Sequence, residues 1–177
     1  RAGFWRLQRL FTGRSLPITV YAVAMALERN PDVGKAMVEA DWEVASHGYR
    51  WIDYQYVGED IERGHIRKAI EIHTQVTGSR PLGFYQGRLS PNTRRLVVEE
   101  GGFLYDADSY ADDLPYWVHG YGKPHLGLHC RLVGRPGRTA ALASFLDYVQ
   151  RHGRVWICRR IDIARHWHQY HFPNAAA

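Results

Sequence analysis

Only two cysteines and two methionines occur among the 177 residues. Cys130 and Cys158 fall into no CxxC or Cys/His finger spacing, which removes the common zinc-finger and thioredoxin-type readings. They read as free, buried thiols of a reducing compartment. Cys130 follows His129 directly, but neighbouring residues of a strand face opposite ways, so a cysteine nucleophile is not expected. No run of 18 or more apolar residues occurs, so no ordinary membrane-spanning helix is expected. The N-terminal RAGFWRLQRLF is amphipathic, with neither the methionine nor the apolar core of a secretory leader. A cytoplasmic location is expected, and a start inside a longer polypeptide.

The phosphate cradles GxGxxG and GxxxxGK[ST] are absent, and so is the GxSxG nucleophile elbow. Nucleotide binding and serine hydrolysis therefore lose their usual signals. The net charge of +5 would suit an anionic partner, but the arginines are dispersed. Arg6, Arg9 and Arg14 lie in one segment, Arg94 and Arg95 in another, and Arg131 to Arg138 in a third. No nucleic-acid-binding signature accompanies them, and no such partner is expected.

Hydrophobic residues make up 45% and charged residues 23%, the balance of one globular domain. Phe4, Leu7, Leu10 and Phe11 predict an amphipathic helix over 2–13. PITVYAVA reads as a strand covered on both faces. A helix from Pro31 and a strand WEVAS follow. Glu59 to Val76 predicts a long helix with Ile61, Ile66, Ala69, Ile70 and His73 on one side, closed by Gly78. LGFYQG is a third strand, and Ser90-Pro91 opens a helix with Ser90 as its cap. FLYDADS, LGLHC and RVWIC complete six strands. A helix from Pro136 to His152 turns Leu142, Phe145, Leu146 and Val149 inward, and Asp162 caps a last one. Strands alternating with helices argue for βαβ units and a parallel sheet.

The chemically suggestive residues collect behind the strands. His47 follows the second, Tyr85 to Arg88 the third, Asp106, Asp108, Asp112 and Asp113 the fourth, and His129 with Arg131 the fifth. In a parallel α/β sheet or barrel these positions share one rim, where sites are built. Histidine, carboxylate and arginine suit the hydrolysis of a polar carbonyl compound: water attacks, a histidine or carboxylate moves the proton, and arginine or histidine meets the oxyanion.

The strings SHGYRW, RPLGFYQGR, VVEEGGFLYDADSYADDLPYW, GLHCRLVGRPGR and VWICRRIDIARHWHQ together resemble the polysaccharide-deacetylase (NodB-homology) superfamily, and within it the bacterial allantoinase branch. The resemblance implies a distorted, incomplete (β/α) barrel. It also implies a hydrolase of non-peptide carbon–nitrogen bonds, opening the hydantoin ring of allantoin in purine catabolism. Metal-dependent members use an HxxxH pair. His47 matches the first histidine and Trp51 stands at the second, where no ligand is available. His129 matches a late histidine, and RPLGFYQGR departs from the usual RxPYG arginine pattern.

On this reading His47, His129 and Asp113 are catalytic, and Trp51, Tyr85, Arg88, Trp117 and Arg131 bind substrate. His166, His168 and His171 form a solvated tail. No cofactor is expected, with zinc or another divalent metal as the alternative. The partner is a small molecule, and a homo-oligomer is expected. The whole of 1–177 is read as one catalytic domain, incomplete at an N-terminal strand and interrupted near 126–127. The alternatives are a metal-dependent deacetylase of N-acetyl sugars, a close relative acting on other cyclic imides, and a non-catalytic member of the fold.

Overall fold

The computed structural model describes residues 2–109, 115–118, 125–127 and 136–173. Six strands form one sheet in the order β1-β2-β3-β4-β6-β5. They are β1 (Thr19–Ala22), β2 (Glu43–Ser46), β3 (Gly83–Phe84), β4 (Tyr105–Asp106), β5 (Trp117–Val118) and β6 (His125–Gly127). All pairings are parallel except β5 with β6. Helices α1 (Ala2–Thr12), α2 (Ala24–Arg29), α3 (Pro31–Glu39), α4 (Glu59–Thr77), α5 (Thr93–Glu100), α6 (Pro136–Val149) and α7 (Arg160–Tyr170) surround it. The βαβ reading of the sequence holds, and the architecture is the barrel-like α/β arrangement expected.

Alternation along the strands decides what each face does. Ala22 points outward with Val20 and Val44 into a cluster with Leu27, Met37, Ala69 and Ile72, contributed by α2, α3 and α4. A second outer cluster joins Phe84 to Ile66, Ile70, Leu96 and Val97 of α4 and α5. Tyr21 and Tyr105 face the other way, where they pack with Ala107 against Ile161 and Ala164 of α7. Phe4 and Phe11 of α1 close edge-on around Trp42, at 6.5 and 6.0 Å between ring centroids.

The structure corrects several expectations. RVWIC forms no strand; residues 155–159 run irregularly into α7, and the sixth strand is β5 instead. The first strand stops at Ala22, because Val23 caps α2 and Ala24 enters it. Ile61 and Phe145 lie on their helices' outer sides, each 59% exposed. Asn92, not Ser90, is the N-cap residue of α5, although the Ser90 hydroxyl accepts from the Asn92 and Thr93 amides at 2.9 and 3.2 Å. Asp162 acts from the first turn of α7 rather than ahead of it, accepting the Arg159 amide in a capping box. His168 is not part of a solvated tail, since it bonds the Leu104 carbonyl at 3.0 Å.

Candidate active site

The parallel ladder extends one residue past each strand end. His47 donates its amide to Ala22 (2.9 Å), Tyr85 to Ser46 (2.9 Å) and Ala107 to Phe84 (2.8 Å). The sheet therefore fixes the backbone of all three positions. His47 and Tyr85 meet ring to ring, 4.9 Å between centroids. Tyr85 in turn lies 5.2 Å from Tyr21, and the Arg160 guanidinium sits 5.6 Å over the Tyr21 ring. A row of π-faces thus runs from α7 up the inner side of the sheet to the rim.

Behind His47 the chain turns at Gly48, with φ at +65°. A Cβ at this position would run into the side-chain amide of Gln86, so the turn needs glycine for both reasons. Tyr49 and Tyr54 are the buried anchors of the following loop. The Tyr54 hydroxyl bonds His65 Nδ1 at 3.0 Å, and its amide donates to the Arg88 carbonyl at 3.2 Å. Desolvation, with Arg50 and Lys68 close by, holds the His65 pKa below its ordinary value. Trp51 is 57% exposed, and the Arg88 guanidinium lies 5.3 Å from the centre of its ring. A cation stacked on an exposed indole makes a flat wall beside the rim.

Asp108 ties the third and fourth strand ends together. Its carboxylate accepts the Gln86 amide at 2.6 Å and the Gly87 amide at 2.7 Å, and its own amide donates to Asp106 at 2.9 Å. Arg94 of α5 pairs with Asp106 at 3.6 Å. Burial, and then the neighbouring Asp106 charge, push the Asp108 pKa up to about 7, against the pull of the two amide bonds.

Four of the expected site residues fall where the rim can be followed: His47, Tyr85, Arg88 and Trp51. Trp117 is placed elsewhere. It lies on β5, packs on His168 and Phe172, and donates to the His171 carbonyl at 2.5 Å. None of its described contacts is with His47, Tyr85 or Arg88. Asp113, His129 and Arg131 lie outside the described residues, as do Asp112 and Cys130.

Sequence reasoning passed over Tyr21 and Arg160, whose only signal is strand alternation and a helix start. Their lining role depends on α7 folding back against the sheet. An open groove of about 570 Å³ lies outside the rim between α2 and the loop, lined by Arg29, Asn30, Arg50, Trp51 and Ile52. Neither His47 nor Tyr85 lines it.

Among the described residues no three His, Cys, Asp or Glu side chains gather to hold one, and Trp51 occupies the place of a second histidine. His47 by itself is one ligand of the three a catalytic zinc needs.

Residues 2–101 match the Polysaccharide deacetylase family profile. A Schizosaccharomyces pombe protein that carries a provisional polysaccharide deacetylase name is 32% identical over 237 aligned positions, covering 97% of this chain and 74% of that protein. The alignment is longer than the chain, so it passes over internal gaps. The crystal structure of Puue allantoinase superposes with a TM-score of 0.91 at 47% identity, covering 97% of this chain and 74% of its own. A Pseudomonas aeruginosa PAO1 protein described as a probable polysaccharide deacetylase gives 0.90 at the same identity and coverage.

Proposed function

We propose that this chain, which belongs to the polysaccharide deacetylase family, hydrolyses a cyclic amide, with allantoin as substrate and allantoate as product. The observation that carries this reading is the pair of stacked contacts at the rim. The His47 ring lies against Tyr85, and Trp51, in place of a metal-ligating histidine, supports the Arg88 guanidinium. The likeness to Puue allantoinase supports the same choice.

In this reading water adds to a ring carbonyl and the carbon–nitrogen bond breaks. The oxygen of water stays on the new carboxylate, and one of its protons reaches the departing nitrogen. His47, with His129, handles those protons. Arg88 and Arg131 hold the carbonyl and ureido oxygens and meet the developing oxyanion. Asp113 orients a histidine or the ureido group. Trp51 and Tyr85 supply flat walls that suit a planar ring. The active form is a homo-oligomer in the cytoplasm.

A second reading, a metal-dependent deacetylase of N-acetylated sugars, is favoured by the family match itself and by the Schizosaccharomyces pombe and Pseudomonas aeruginosa relatives. The deciding experiment is allantoate release from allantoin by the purified protein, with and without a strong chelator, beside acetate release from an N-acetylglucosamine oligomer. Allantoin turnover that survives chelation is expected. Acetate release that chelation abolishes and zinc restores would replace the first reading with the second.

A further inference from the structure

We infer that Asp108 is the positioning residue of this site: its carboxylate holds the turn that sets Tyr85 against His47 and Arg88 against Trp51. The inference rests on the hydrolase reading above and adds to it a residue outside the proposed catalytic and binding set. Gln86 and Gly87 are the two residues between Tyr85 and Arg88, and Asp108 accepts both of their amides, at 2.6 and 2.7 Å. Gly87 adopts a φ of +77°, so the turn is tight, and the Gln86 side chain reaches over Gly48 beside His47. One carboxylate therefore governs the spacing of the two stacked pairs that make the rim.

Asp108 is 3% exposed, each of its oxygens accepts a backbone amide, and its carboxyl also meets the Asp106 side chain. Its described partners are the turn and Asp106, so its part is to hold the turn. Among the described residues, the charged and titratable groups around it come from three places. Asp106 lies on its own strand, Arg94 pairs with Asp106 from α5, and the third strand end presents the two amides with the Tyr85 ring. His47 stands beyond that ring.

The electrostatics give this arrangement a signature. Burial and Asp106 raise the Asp108 pKa from its ordinary 3.8 to about 7. The folded state thus binds a proton that the unfolded state has released, and stability falls as pH rises between those values. The turn, by contrast, is fully tied only when the carboxylate is ionised and accepts both amides. Activity and stability should move in opposite directions across this window. A buried aspartate with a merely structural role would lose both together.

The test compares the wild-type protein with Asp108→Asn, and with Asp108→Glu as a charged control. An amide can accept only one of the two backbone N–H groups, and its NH2 opposes the other. The expected result is a kcat/KM lowered about ten- to a hundredfold at pH 8, with an unfolding midpoint no lower than wild type. The acid limb of the wild-type profile near pH 7 should vanish in Asp108→Asn and persist, at reduced activity, in Asp108→Glu.

A second readout needs no substrate. The Gln86 and Gly87 backbone amide NMR signals, whose N–H groups donate directly to this carboxylate, should show an inflection near pH 7 in wild type that Asp108→Asn removes. That inflection, seen in a protein that does not open allantoin, would overturn the function and leave the positioning role standing. A variant with kcat/KM within about twofold of wild type, or with the amide inflection unchanged, would overturn the positioning role.

Discussion

The Tyr105 hydroxyl donates to Glu43 at 2.8 Å across the intervening strand β3, and it can do so because residue 83 is glycine. In the sheet Gly83 stands beside Tyr105, and the ring lies over the bare Cα. Glu43 also accepts the Thr19 hydroxyl at 2.5 Å and the Ile161 amide at 2.9 Å. One carboxylate thereby joins β1, β2, β4 and the start of α7 on the inner face. Burial holds the Tyr105 hydroxyl well above the usual phenol pKa, so it stays a donor throughout the working range.

From this follows a packing prediction. Gly83→Ala places a methyl group inside the Tyr105 ring and should destabilise the fold by about 2–3 kcal/mol in urea unfolding. Tyr105→Phe keeps the ring but leaves Glu43 short of a donor, and should cost about 1–2 kcal/mol. Equal stability of Gly83→Ala and wild type would show that the ring has somewhere else to go.

At the rim, Trp51→Ala removes the indole under Arg88 while sparing the sheet, since Trp51 is mostly exposed. Stability should stay within about 0.5 kcal/mol of wild type, whereas KM for allantoin should rise about tenfold from loss of the cation–π support. His47→Ala should instead lower kcat by about a hundredfold or more. Steady-state kinetics on both variants separates wall from proton carrier.

Glu62 of α4 is 1% exposed and accepts the hydroxyls of Ser90, at 2.5 Å, and Thr93. It fastens the long helix to the start of α5, behind the third strand end. Glu62→Ala strands both hydroxyls and should cost about 3 kcal/mol, with Glu62→Gln recovering part of it because an amide can still meet two hydroxyls. Thermal or urea unfolding of the two variants checks the order.

His73 supplies a pH prediction. It is fully buried on α4, with Nε2 bonded to the Ala22 carbonyl at 3.1 Å, and desolvation lowers its pKa from 6.5 to about 4 against the pull of that bond. Between those values the unfolded chain binds a proton that the folded chain does not. Stability therefore rises with pH across the window and is lost as pH falls, by about 3 kcal/mol in all. Asp108 contributes the opposite slope between about 4 and 7, so the measurement is a difference. His73→Leu should show a flatter acid side than wild type in urea midpoints taken from pH 7 to 4.

Much of the α/β plan was legible in the chain because its signals are local. Helical spacing of Phe4, Leu7, Leu10 and Phe11 marks α1, and Gly78, in the left-handed conformation, ends α4 where the pattern stops. The valine and isoleucine of RVWIC carry a strand signal of equal strength, yet no sheet edge receives them, and pairing is a non-local event that no window of sequence contains. Ile61 and Phe145 fail for a related reason: periodicity names a helix face, but only the neighbours decide whether anything covers it.

By itself, the sequence determined the alternation of strands and helices, the polar residues just past the strand ends, and the tryptophan where a metal site would need histidine. Those are properties of residue identity and of spacings under about twenty positions, set by backbone periodicity and side-chain chemistry. Only the tertiary structure decided that Tyr85 rests on His47, that Arg88 covers Trp51, that Trp117 packs against the last helix, and that Asp108 carries the turn between them. Each of these depends on which strands lie side by side. Parallel pairing sets that order between segments tens of residues apart, through backbone hydrogen bonds that are the same for every side chain.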